Sequence, residues 1–221
     1  MREQRGQQPF TMNTKDRPLC SLSLYHASDK NMPIQEIQFP GPRENCDFGP
    51  GFYLTDNKFT SEEWVFEEDK PIINKYDFLA PLSSILHLTD EDWIRVVVGY
   101  RTGKYKVHFY SPVVKGIIAN DRLVPSMELF LSGVIGDKRL KKSLDYCKLG
   151  DQFLLRENTS FLSNHSSKPL TGGEKQQAAE RFKSRRQGMG RDLTLIQRES
   201  IAGEKYIEDY LAMGDYHEPT V

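Results

Sequence analysis

The chain has 221 residues, 38% of them hydrophobic and 28% charged, with a formal net charge of -1. That length and composition suit one core with an appendage and argue against two full domains, a membrane-spanning protein or a repeat array. A net charge near zero also removes any bulk electrostatic argument for nucleic acid as a partner, leaving only local basic patches to hold phosphate.

Residues 1–18 are polar, Gln-rich and aperiodic, which predicts a disordered tail. They contain no apolar run of signal-peptide length, so the expected location is cytoplasmic, or that of an effector delivered without a cleavable signal. Order is expected from Cys20 to His26, where apolar and small polar residues alternate as in a half-buried strand. From Asp29 to Pro50, the prolines and glycines predict a long loop. Gly51 to Thr55 then reads as a short strand, and Thr60-x-x-Glu63 as a capping box opening a helix through Trp64 and Phe66. Pro71 to Phe78 is an expected strand. Trp93, Val96, Val97 and Tyr100 recur at helical spacing after Thr89-Asp90.

Val113 to Ile118 is the next strand, and two short helical patterns follow over Met127–Leu131 and Leu140–Cys147. Gln152 to Leu155 is expected to close the domain as a strand. Ser166, Ser167, Pro169, Gly172 and Gly173 then read as a linker, followed by a polar helix from Glu174 to Arg186. The arrangement is a tail over 1–18, a domain over 19–165, and a linker with a helical extension over 166–221. Short strands interspersed with short helices define an α+β class.

Cys20, Cys46 and Cys147 are widely spaced and form no metal-ligand pattern, so they read as reduced thiols and no metal is expected. His87, His108, His165 and His217 have no partners in sequence and receive no role. Arg181, Lys183, Arg185, Arg186 and Arg191 read as a solvated helix face rather than a guide for a nucleic-acid acceptor. Tyr206, Ile207, Tyr210 and Leu211 read as intramolecular packing, with a docking or neutralising partner as the other option.

Four segments carry chemistry. They are Leu24-Tyr25-His26-Ala27-Ser28, Asp47-Phe48-Gly49-Pro50-Gly51-Phe52-Tyr53-Leu54-Thr55, Gly116-Ile117-Ile118-Ala119-Asn120-Asp121, and Asp151-Gln152-Phe153. In order and spacing they resemble the ADP-ribosyltransferase superfamily, in its bacterial His-Tyr type on the diphtheria-toxin and poly(ADP-ribose)-polymerase side. Ala27 stands where that family usually has Gly, Pro112 where an Asp often begins the third segment, and Gln152 where many relatives carry Glu.

The resemblance implies an ADP-ribosyltransferase fold, with small mixed sheets split around an NAD cleft and short flanking helices. It implies NAD as co-substrate and no membrane partner. His26 would donate to a ribose hydroxyl, Tyr53 would stack on nicotinamide and Gln152 would fix the reacting ribose. Ala27, Ser28, Gly49, Gly51, Phe52, Asn120 and Asp121 would line the nucleotide.

Such a site must hold nicotinamide and ribose rigidly and leave one face open to a nucleophile, which takes few residues. An amide at position 152 can hydrogen-bond but cannot act as a base, which favours single transfer over polymer formation. The expected activity is mono-ADP-ribosylation of a protein or nucleic-acid acceptor, with a toxin or effector role implied by the resemblance. A silent NAD-binding module and an NAD glycohydrolase are the alternatives. Taken singly, Tyr53 could equally anchor the core, Gln152 satisfy backbone groups, and Asn120-Asp121 form a turn.

Overall fold

A computed structural model of the chain describes residues 18–41, 46–119, 122 and 125–220. The tail expected over 1–18 lies outside them except for Pro18, whose carbonyl accepts from Leu82 N at 2.9 Å. The first half contains β1 (Leu19–Ser28), β2 (Phe52–Thr55), α1 (Lys58–Val65), β3 (Ile72–Pro81), β4 (Ile85–His87) and α2 (Asp90–Thr102). Next come β5 (Val107–His108), β6 (Val113–Ile117), α3 (Ser126–Leu131), α4 (Asp137–Cys147) and β7 (Asp151–Leu155). The chain ends with β8 (Leu162–Pro169), α5 (Gly172–Arg198), α6 (Ile207–Ala212) and β9 (Tyr216–His217).

Seven strands form one mixed sheet in the order β4-β6-β7-β2-β1-β3-β8, and β5 pairs with β9 in a second, two-stranded sheet. Within the large sheet only β4 and β6 run parallel. With helices around a mostly antiparallel sheet, the class is α+β. No helix among the described residues is long and apolar enough to cross a membrane.

The large sheet consists of two halves that barely touch. β1 and β3 pair along their whole length, Leu19 opposite Pro81 and Ser28 opposite Ile72. β1 and β2, by contrast, share a single register pair, Tyr25 opposite Thr55. Period-2 alternation then sorts the side chains by face. Phe52, Leu54, Phe153 and Leu155 from β2 and β7 pack with Leu24, Tyr76 and Phe78 from β1 and β3. On the opposite face, Tyr53 and Leu154 join Phe48, Trp93 and the helices α2, α3, α4 and α6. The two halves are therefore joined mainly by side-chain packing rather than by strand pairing.

Several elements differ from their sequence-based expectation. Helix α1 starts two residues before Thr60, because the Asn57 side chain accepts from Phe59 N at 3.0 Å and Thr60 N at 3.3 Å. Thr60 is buried and donates to the Leu149 carbonyl at 2.8 Å, so the expected capping box is absent. Asn57→Ala removes both cap bonds and the Nδ2 donation to Leu149 O. It is expected to cost about 1 kcal/mol, read as a lower urea midpoint with unchanged slope.

The expected linker is also absent at its start. Ser166, Ser167 and Lys168 continue β8, opposite Lys75, Asn74 and Ile73 of β3. The capping box that does form is Thr171 with Glu174, and it opens a helix running to Arg198 rather than Arg186. Gln152 to Leu155 becomes β7 in the middle of the sheet instead of a closing strand. Nor are Arg181 and Arg185 on a solvated face, since both reach the buried carboxylates of α1: Arg181 lies 2.5 Å from Glu62, and Arg185 3.1 Å from Glu63. Burial foremost raises the Glu63 carboxyl above its ordinary range, with Arg185 and Arg181 opposing. Ile207 and Tyr210 are buried in the main core, as the packing reading expects.

Candidate functional site

Where the pairing of β1 and β2 stops, an imidazole bridges the two strands. Continuing the Tyr25–Thr55 register would place Ala27 opposite Tyr53, but that pairing does not form. Instead His26 Nδ1 lies 2.8 Å from the Tyr53 carbonyl oxygen. The His26 ring rests on Phe52, with centroids 4.6 Å apart. Because a carbonyl only accepts, Nδ1 donates to it.

Tyr53 is tied into the loop before it. Its hydroxyl donates to Gly49 O at 2.7 Å and accepts from Phe48 N at 3.0 Å. Burial foremost, with Cys46 and Asp47 nearby, raises the phenol well above its ordinary range, so it stays protonated and serves as a donor rather than a base. Its ring, half-buried against the main core, is the part that stacking would use.

Gln152 is buried, and its Nε2 lies between two acceptors, Asp47 Oδ2 at 3.1 Å and Ile117 O at 3.5 Å. Both neighbours accept, so the amide nitrogen must face them and Oε1 must face away. Asp47 is in turn held by Arg101, with Nε at 2.8 Å and a terminal nitrogen at 2.6 Å from Oδ1. Register aligns Gln152 with Thr55 on β2 and Gly116 on β6. The row continues to Tyr25 through the Tyr25–Thr55 pair.

Residues 46–49 are therefore the hub: Asp47 fixes Gln152, while Phe48 and Gly49 fix Tyr53. Asp47 was legible as the first letter of the signature, but its role was not. Arg101 gave no sequence signal, because its partner lies 54 positions away.

The remaining expected residues divide. Gly49 has φ +82, and a Cβ there would stand 2.3 Å from the Tyr100 ring. A Cβ on Gly51 would lie 2.5 Å from the Leu155 carbonyl. Both glycines thus admit close approach by the protein's own atoms. Phe52 is buried beneath His26 and supports the ring rather than facing a ligand. Ser28 closes a turn, donating to Lys30 O at 2.7 Å and accepting from Lys30 N at 3.2 Å. Ala27 sits in β1 opposite Ile73. Asn120 and Asp121 lie outside the described residues.

Two cavities of about 200 and 220 Å³ adjoin one another at the ends of β6 and β7, sharing Ile117, Leu144 and Asp145. His26, Tyr53 and Gln152 line neither. The second is bordered by Asp56, whose carboxyl is raised by burial first and by the Asp151 carboxylate, against a hydrogen bond from Asp151 N.

Fold and site together define an α+β protein in which His26 shares the Phe52 face of the sheet, while Tyr53 and the Gln152–Asp47–Arg101 group lie on the other. Over residues 22–164 the chain matches the family described as protein of unknown function (DUF3990), and it belongs to that family. Neither a curated protein nor a solved structure matches it.

Proposed function

We propose that this chain is an NAD-dependent mono-ADP-ribosyltransferase, with the nucleotide seated where β1 and β2 diverge. The observation that supports this best is the end of β1–β2 pairing at Tyr25–Thr55, where His26 bridges to the Tyr53 carbonyl at 2.8 Å beside the loop 46–49. In this reading the His26 ring contacts a ribose hydroxyl, the Tyr53 ring flanks nicotinamide, and Gln152 Oε1 accepts from the reacting ribose. The Asp47 carboxylate and the Arg101 guanidinium fix the amide of Gln152, so its carbonyl is oriented before substrate arrives.

Cleavage of the nicotinamide bond leaves positive character on the ribose. The site offers neutral dipoles there rather than a carboxylate at position 152, which favours one transfer to a nucleophile over chain growth. NAD, α+β topology and the four segments carried over from the resemblance all fit this reading. The acceptor would be a protein or a nucleic acid.

The test is transfer from labelled NAD. Wild type is expected to label a macromolecule in a cell lysate, and His26→Ala to lower the rate at least about tenfold by freeing the Tyr53 carbonyl and the ribose position. Release of free nicotinamide without a labelled product would establish hydrolysis instead. Neither product from the folded wild type would refute the enzyme reading.

A second reading is favoured by one observation, the burial of Gln152 with its amide already engaged. On that reading the cleft binds NAD or ADP-ribose without turnover. Calorimetry showing saturable binding and no nicotinamide would establish it.

A further inference from the structure

We propose that His108, Asp215 and His217 form a binding site for a divalent transition cation of the zinc class, which staples the carboxy-terminal segment to the domain. The sequence pattern predicts no metal, because His108 and His217 are far apart in the chain and gain a common face only when β5 and β9 pair. That pairing is parallel and sets Val107 opposite Tyr216 and His108 opposite His217.

Alternation does the rest. Tyr216 is 1% exposed, packed on Phe109 with Arg95 5.2 Å above its ring. Its neighbours Asp215 and His217 therefore point the other way, toward the side where His108 lies. The two imidazoles stack with centroids 4.6 Å apart and planes 9° apart, so their donors are adjacent but a ring must turn about its side-chain bonds to aim both in-plane lone pairs at one ion. Donor atoms of His108, Asp215 and His217 all lie within 4.8 Å of one another.

The chemistry suits a borderline cation. Two imidazoles and one carboxylate are a three-ligand set that leaves a position for water, as in zinc sites with three protein ligands. Asp215 is already oriented: Oδ1 accepts from Lys106 N at 2.8 Å, leaving Oδ2 for the ion. Among the described residues no hydrogen-bond partner of either imidazole is seen, so both rings are available as ligands. Tetrahedral ligands at zinc distances stand roughly 3.4 Å apart. Asp215 and His217 are exposed and have room to close to that spacing.

The location gives the ion a consequence. A two-stranded sheet of two residues per strand has little stability of its own. This one closes the turn between α6 and the chain end. Beyond it the Glu218 carboxylate accepts from Tyr110 N at 2.6 Å and Ser111 N at 2.8 Å. A cation bridging β5 and β9 would hold that whole clasp against the loop leading into β6, independently of any NAD chemistry.

The experiment is titration of the full chain, free of any affinity tag, with Zn²⁺ by calorimetry and with Co²⁺ by visible absorption. Wild type is expected to bind one equivalent, with a Co²⁺ spectrum of low coordination number. His108→Ala and His217→Ala are each expected to weaken binding at least tenfold, and Asp215→Ala several-fold. His87→Ala, outside the cluster, is expected to leave binding unchanged. Hydrogen exchange over residues 213–220 should slow on adding Zn²⁺ to wild type and not to His108→Ala. All four side chains are at least partly exposed, so unchanged metal-free urea midpoints verify that the variants are folded. Absence of saturable binding by wild type, or binding by the His108→Ala and His217→Ala proteins as tight as that of wild type, would overturn the proposal.

Discussion

A chain ending at Asn164 is expected not to fold, although it retains every residue that matches the family. The missing segment is part of the core rather than an appendage. It supplies Leu193, Ile207, Tyr210 and Tyr216, all buried, the last three in the same cluster as Trp93, Phe130 and Leu140. At about 1.5–3 kcal/mol for each fully buried large side chain, these four alone contribute roughly 6–12 kcal/mol. That range is comparable with the whole stability of an ordinary domain, about 5–15 kcal/mol.

Ion pairs are lost at the same time. Glu204 grips Arg139 at 2.9 Å with both side chains almost wholly buried, and Arg185 is the closest cation to the buried Glu63 carboxylate. Truncation also strips most of β8 from β3, leaving a long sheet edge unpaired. Far-UV circular dichroism and urea unfolding of the soluble fraction measure the outcome. A cooperative transition in the truncated protein would show that the segment is dispensable.

β1 was legible through His26 because its residues alternate and Leu22 and Leu24 meet the core, and β6 because Val113 and Val114 form a short apolar run with one residue packed on each face of the sheet. So was α2, whose Trp93, Val96 and Val97 repeat at helical spacing and are buried. β8 was not legible, because it is an edge strand whose Ser166, Ser167 and Lys168 are exposed, and such a strand carries no hydrophobic signal. β5 and β9 were illegible for a different reason: each has two residues, and neither exists without its distant partner.

At the candidate site, His26, Tyr53 and Gln152 stood out through their segments, but what each side chain touches did not. Nδ1 of His26 is spent on a backbone carbonyl, and the Tyr53 hydroxyl on a loop. Bonds of this kind depend on where strands diverge, which is a tertiary property. Arg181 and Arg185 teach the same lesson on a polar helix, where composition gave no sign of which charges turn inward to Glu62 and Glu63.

Gln152→Glu is expected to destabilise the protein by about 3 kcal/mol at neutral pH. In wild type, Asp47, Arg101 and Gln152 carry a formal charge of zero as a trio, and the amide Nε2 is a donor to Asp47 Oδ2 at 3.1 Å. The substitution exchanges that donor for a second carboxylate facing Asp47 and the Ile117 carbonyl, so two acceptors lose a partner and a repulsion appears. The new carboxyl would be held above its ordinary range by burial and by Asp47, because the pair cannot easily ionise twice.

The sign of the pH dependence follows. A carboxyl whose folded value exceeds its unfolded one binds more protons in the folded state, so its penalty is absent at low pH and grows as pH rises through the ordinary carboxylate range and beyond. The deficit relative to wild type should thus be larger at about pH 8 than at about pH 5. Asp47→Asn with Gln152→Glu restores both the donor and the zero charge of the trio. The penalty of Gln152→Glu should accordingly shrink by at least half in the Asp47→Asn background, measured as a coupling free energy from urea unfolding of the four proteins. Additive effects would show that Asp47 does not select the amide, and that position 152 is neutral for a reason outside this cluster.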